Sequence, residues 1–263
     1  FMGGSLAIPD PDVYLPEGDT AVTPVDYGCF ASRTTFVLGR AAYEAAVMLR
    51  DEILERAAKL FSLPQESLFL KDSTVRCRND EGVKISLAQL SRESIVKLKR
   101  NVSILTQFNN TSNPGVTGVH FAHVEVDTWT GFTKILDYLA VHDIGQPINP
   151  AMCAAQIQGA AQMGCGAALR EKLTVDKNGR CTESLSKYHL FLATDLPDIQ
   201  VKLLTEGRSQ EGPFGAKSIG EVCYVPAAPA VCGAVNDALG SSLETLPYDP
   251  DCILKYLAKE REQ

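Results

Sequence analysis

One lysine and one glutamate stand among small residues in the run Pro213-Phe214-Gly215-Ala216-Lys217-Ser218-Ile219-Gly220-Glu221. Glycine tolerates dihedrals that other residues resist, and its bare backbone lets a ligand approach closely. Apolar Ile219, Val222 and Tyr224 flank Glu221, and a carboxylate partly desolvated by them would have its pKa raised toward that of a useful general base. The competing reading is a surface loop with a solvated glutamate. Two other stretches could bind rather than react. Ser32-Arg33-Thr34-Thr35 precede a helical stripe, and hydroxyls and an arginine at a helix N-terminus suit an anion, because unpaired N–H groups and the helix dipole point at it. Plain N-capping by Ser32 or Thr35 explains the same residues. Gln156 aligns with Gly159, Ala160 and Met163, which sets one amide over a nearly bare helix face. Such an amide could read a polar heterocycle, or be satisfied by backbone; Gln158 and Gln162 point elsewhere.

Other candidates are weaker. His120 and His123 are three apart on a strand, hence on opposite faces, which argues against a metal pair and for one packed or exposed histidine each. No metal-ligating set emerges. The eight cysteines at 29, 77, 153, 165, 181, 223, 232 and 252 include no CxxC pair, a poor spacing for zinc or an iron–sulfur cluster, so free thiols in a reducing cytoplasm are expected. Gly164-Cys165-Gly166 is a lone GxG inside a helix, without the strand, third glycine and downstream acid of a dinucleotide site.

The elements that must position these residues are legible in outline. Val13-Tyr14-Leu15 suggests a short strand. Ala42, Ala45, Ala46, Leu49, Ile53, Ala57 and Leu60 form a helical stripe. Residues 68–70 read as a strand, 75–86 as a hairpin turning at Asn79-Asp80-Glu81-Gly82, and 87–99 as a solvated helix. Residues 109–118 form a polar loop that is not taken as a domain boundary, since the strands on either side read as parts of one sheet. Two long strands, 120–128 and 133–141, are joined at Trp129-Thr130-Gly131. Asn149 and Pro150 open a helix to about Leu169 whose many small residues favour close packing over helix propensity. Residues 171–180, 188–195 and 199–204 look strand-like. Val231, Ala234, Val235, Ala238 and Leu239 mark a helix opened by Pro226 or Pro229 and stopped by Gly240, and 253–257 a short last helix.

The 263 residues, 45% hydrophobic and 22% charged, describe an ordinary globular chain able to bury a sizeable core. A net charge of −7 argues against a general nucleic-acid or anionic-membrane binder. No bilayer-spanning stretch and no signal-peptide pattern is present, so a cytoplasmic location is expected.

Four pieces in this order resemble the C-terminal molybdenum-cofactor domain of the molybdenum hydroxylases, the xanthine dehydrogenase and aldehyde oxidase family. They are Ala31-Ser32-Arg33-Thr34-Thr35 with Gly39; Val126-Asp127 through Gly131 to Asp143-Ile144-Gly145; Ile148-Asn149-Pro150 with Gln156-Ile157-Gln158-Gly159; and Gly215 through Glu221. The resemblance implies an α+β (mixed α/β) fold over residues 6–258, with subdomains of about 6–115 and 116–258. It further implies that Glu221 is the catalytic base, taking a proton from the water-derived oxygen that attacks an electron-poor C–H carbon at molybdenum. Gln156 would hydrogen-bond the pyranopterin, and Ser32, Thr34 and Thr35 would bind the phosphate. Arg33 suggests the bacterial cytosine dinucleotide form; Lys217 and Gly220 join the cofactor-binding set. The chain departs from the family at Val222-Cys223, where two prolines are usual, at Ala155, usually Gly, and at Gln158, usually Glu.

Three functions are thereby weighed: hydroxylation of an N-heterocycle such as a purine, oxidation of an aldehyde, or a scaffold that binds no cofactor alone. The first two imply the upstream half of the molybdenum subunit as a partner. They also imply iron–sulfur clusters and FAD on other domains or subunits, an oligomeric assembly and a small-molecule substrate.

Overall fold

The computed structural model describes residues 8–9, 13–15, 18–21, 23, 25–181, 184 and 187–261. They fall into two compact units, residues up to 112 with 211–213, and residues 113–210 with 214–263.

In the first unit, helix α1 runs Thr34–Phe61 and buries Ala46, Ile53 and Ala57, the predicted stripe. It ends at Ser62 in the left-handed region (φ 55°), whose N–H bonds the Ala58 carbonyl. Strands β1 (Leu68–Lys71), β2 (Thr74–Cys77) and β3 (Lys84–Ser86) form an antiparallel sheet in that order. Helix α2 (Leu87–Leu98) starts with a capping box, Ser86 Oγ accepting from the Gln89 N–H and Gln89 Oε1 from the Ser86 N–H. Leu68, Val75, Cys77 and Leu90 close the core against α1. Arg56 is buried there, its Nε bonded to Glu52 at 2.8 Å and its Nη1 to the Arg100 carbonyl at 2.8 Å. A buried guanidinium is tolerated because its donors are so fully used.

In the second unit, β4 (Thr117–Val126) and β5 (Thr133–Asp143) pair antiparallel with a bulge at His123/Val124. Asp127 shapes the turn, its Oδ1 accepting from the Trp129 N–H at 2.8 Å. Helix α3 (Pro150–Leu169) then crosses to β6 (Ile199–Leu204), which lies parallel to β5. Helices α4 (Ala227–Leu239) and α5 (Pro250–Arg261) complete the unit. Asn149 caps α3 through the Met152 N–H, as its residue type predicts. The core joins Ile135 and Tyr138 of β5 to Ile157, Ala161 and Cys165 of α3 and Val231 and Val235 of α4. A Cβ on Gly164 would come within 2.3 Å of the Ala227 Cβ, and one on Gly166 within 2.1 Å of Glu171. Those glycines serve close packing, not a dinucleotide.

Four expectations are corrected. The strands flanking 109–118 belong to two separate sheets, and the units divide within that loop, between Ser112 and Asn113. Val13–Leu15 is no strand; Tyr14 and Leu15 are exposed, with no strand partner among the described residues. Residues 171–180 make only one bridge, Val175 to Cys181, around a turn at Asn178-Gly179. Residues 188–195 end in a short turn in which Asp195 accepts the Leu192 N–H, so a side chain satisfies what a ladder partner would. Among the described residues, no helix is long and apolar enough to cross a membrane.

Opposite-face placement holds for the two strand histidines, but His120 is not alone. It is buried, its Nε2 2.7 Å from Nε2 of His142 and its Nδ1 2.7 Å from the Tyr138 hydroxyl. Gly118 makes the room, since a Cβ there would lie 2.2 Å from the His142 ring. Burial and then the neighbouring imidazole push His120 down to about 4, and burial also pushes His142 down. Unfolded histidine titrates near 6.5, so between those values the unfolded chain binds more protons and stability falls with falling pH. For His120 the loss is roughly 3 kcal/mol once pH is below about 4. Melting curves from pH 7 to 4 should therefore fall more steeply for the native chain than for His120→Gln; parallel curves would contradict this.

Candidate functional site

The loop bearing Glu221 is fastened at the end of the second unit's sheet where β5 and β6 finish side by side. Beyond β5, Gly145 (φ 60°) forms a bridge with Ala216. Around it, the Lys217 N–H donates to the Ile144 carbonyl at 2.9 Å and the Gln146 N–H to the Gly215 carbonyl at 3.1 Å. A Cβ at Gly145 would fall 2.3 Å from the Gly215 oxygen, so only glycine fits. Lys217 Nζ reaches Asp143 Oδ2 at 2.7 Å. Three residues on, the Gly220 carbonyl accepts a hydrogen bond of 3.1 Å from Gln156 Nε2 on α3. Cys223 faces inward, fully buried, its thiol donating to the Ile219 carbonyl at 3.0 Å.

Gln156 and Gly220 are thus brought together, with Glu221 adjoining. The amide is on the exposed face of α3, one turn from Gly159, where an added Cβ would meet nothing within 4 Å. Its N–H binds backbone, the ordinary alternative, while the side chain remains at the surface. Glu221 is exposed. The expected shielding by Ile219, Val222 and Tyr224 is not provided here, because Cys223 takes the inward position of this turn and Tyr224 faces out beside the glutamate. Helix α4 opens after Pro226, which occupies the cap position rather than the first turn.

Residues 32–35 belong to the first unit. Helix α1 begins at Thr34 with Arg33 at the N-cap, whose side chain makes no capping bond, so neither Ser32 nor Thr35 holds the expected N-cap position. Ala31 and Ser32 take left-handed backbone (φ 51° and 54°) on the approach. The Arg33 guanidinium lies 5.5 Å from the Tyr27 ring centroid and 5.7 Å from that of Phe30, held by cation–π attraction at the helix start. Ser32, Arg33 and Thr34 are half-buried and Thr35 exposed. A helix start flanked by a cation fits a phosphate.

Sequence reasoning missed Asp143 as the partner of Lys217, though both lie in the segments that carried the resemblance. It also missed the His120–His142 contact; the spacing of Tyr138, Ala140 and His142 on one strand face was the available signal.

The molybdopterin cofactor-binding domain profile matches residues 3–197, most of the chain. The chain belongs to the molybdopterin cofactor-binding domain family. It is similar to the xanthine dehydrogenase molybdenum-binding subunit of Escherichia coli O157:H7, 31% identical over 256 residues, covering 95% of this chain and 34% of that protein. Quinoline 2-oxidoreductase from Pseudomonas putida 86 has a TM-score of 0.86 at 26% identity, over 97% of this chain and 34% of that one. Carbon monoxide dehydrogenase from Oligotropha carboxidovorans gives 0.86 at 23% identity, over 98% and 33%, a likeness of fold alone. The chain spans about a third of the length of these relatives. As a molybdopterin-binding domain it carries the mixed helix-and-sheet fold that the motifs implied.

Proposed function

We propose that this chain is the C-terminal part of a molybdenum-binding subunit that hydroxylates an N-heterocycle such as a purine, with water as the oxygen source. The observation that supports this most is Gln156 bonded to the Gly220 carbonyl immediately beside Glu221. It fastens the backbone next to Glu221 to α3, beside a helix face left bare by Gly159. The similarity to a xanthine dehydrogenase subunit and to quinoline 2-oxidoreductase supports the heterocyclic substrate.

When bound, the molybdenum cofactor supplies two-electron oxidation. The chain's own groups do the rest. Glu221, carried on a fixed loop, would accept the proton from the water-derived oxygen. Gln156 orients the pterin through its amide, and Gly220 lets the backbone come close to it. Ser32, Thr34 and Thr35 receive the phosphate at the start of α1, and Arg33 pairs with the added phosphate of a cytosine dinucleotide. Lys217 acts through the loop that carries Glu221. The rest of the molybdenum subunit, and iron–sulfur and flavin domains or subunits, complete a cytoplasmic oligomer.

Assaying the native complex against a purine, quinoline, an aldehyde and carbon monoxide tests the reading. Oxidation of the heterocycles above all others supports it. Oxidation of the aldehyde alone shifts it to the aldehyde branch, and oxidation of none contradicts enzymatic function. Gln156→Ala removes one hydrogen bond to the cofactor and frees the Gly220 carbonyl. It should weaken cofactor retention roughly tenfold, read as molybdenum per chain after dialysis; unchanged retention would rule out that role.

A further inference from the structure

The proposed base ends a loop that is fastened twice, by unlike means. Gln156 holds the Gly220 carbonyl at 3.1 Å. At the other fastening, Lys217 Nζ lies 2.7 Å from Asp143 Oδ2, with the two side chains only 11% and 23% exposed. Asp143 uses both oxygens, Oδ1 accepting the Gly145 N–H at 3.2 Å. Lys217 is likewise held twice, its own N–H on the Ile144 carbonyl at 2.9 Å. Gly207 leaves the pair its space: a Cβ there would stand 2.7 Å from Asp143 Oδ2 and 2.9 Å from Lys217 Nζ.

Exposed ion pairs contribute little, but removing one partner of a sheltered pair strands a charge, which is strongly unfavourable. Here the stranded charge would sit under a glycine that admits nothing larger, and the loop would be released from the end of β5. We infer that Lys217 and Asp143 are the positioning pair for Glu221, acting through the loop and not on substrate or cofactor. The inference rests on Glu221 being the base. A displacement of about 1 Å in a reacting group can lower turnover by roughly a hundredfold, so a fastening four residues from the base is enough to control it.

The test uses the native complex. Lys217→Met and Asp143→Asn should each lower kcat by about ten- to a hundredfold, with KM and molybdenum content within about twofold. Lys217→Arg, which can still pair with Asp143, should restore most of the rate. The double variant should be no worse than the worse single one, since both break one contact. Independently of turnover, amide hydrogen exchange at Lys217 and Gln146 should quicken at least about tenfold in Lys217→Met. Should that variant not fold, Lys217→Gln, which keeps a hydrogen bond without the charge, should show the same changes in smaller measure. Unaltered kcat, additive losses, loss of molybdenum or unaltered exchange would overturn the inference. Quickened exchange alongside a Glu221→Gln enzyme that still turns over would instead overturn the base assignment and leave the fastening standing.

Discussion

Glu221→Gln in the native complex should lower kcat by roughly a thousandfold, within the range that general-base catalysis contributes. Glutamine matches the size of glutamate and keeps an acceptor oxygen, so the loop and its two fastenings remain. It cannot take up a proton at working pH. Molybdenum content and KM should therefore stay near their native values, the pattern of a group that acts only in the transition state. The Glu221 backbone oxygen accepts the Tyr224 N–H at 3.0 Å, and substitution of the side chain spares that bond. Turnover within a few-fold of native would remove Glu221 from the chemistry. Loss of molybdenum would give it a binding role instead.

Gly145→Ala should destabilise the chain by roughly 2–4 kcal/mol, from left-handed backbone strain and a forced displacement together. The native φ is 60°, and the new methyl would meet the Gly215 oxygen at 2.3 Å, a backbone atom that can move only by opening the bridge to Ala216. Because that bridge carries the loop to Glu221, the surviving folded enzyme should also be slow. Gly233→Ala is the contrast: it lies within α4 with nothing inside 4 Å of the added Cβ, and should be neutral or stabilise by up to about 1 kcal/mol. Denaturation midpoints of the two variants measure the difference. Equal midpoints would mean that Gly145 is not confined as its neighbours indicate.

Local signals in the residues translated well into structure where they were strong. The alanine and leucine stripe of α1, the Asn149-Pro150 start of α3, the long hairpin of β4 and β5 and the Gly240 stop of α4 all form where spacing and residue type place them. Pairings between distant segments were not legible. Leu190 and Leu192 have strand-like composition, yet no strand among the described residues meets them, and both remain exposed. The strands before and after 109–118 have similar patterns, and nothing in either specifies which sheet it joins. At the site, residue types identified Gln156 and Glu221 as candidates, but not that one amide would bind the carbonyl preceding the other. Asp143 looked like the end of a strand until Lys217, distant in sequence, was placed against it. The inward turn of Cys223, which leaves Glu221 outward, follows from how 219–225 folds back on the core and has no counterpart in local composition.

Molybdenum per copy of this chain, measured by elemental analysis on the native complex, tests the central claim most directly. One metal atom per chain, released together with a pterin nucleotide on denaturation, is the predicted result. A complex that is folded and complete in its subunits, yet free of both, would contradict it.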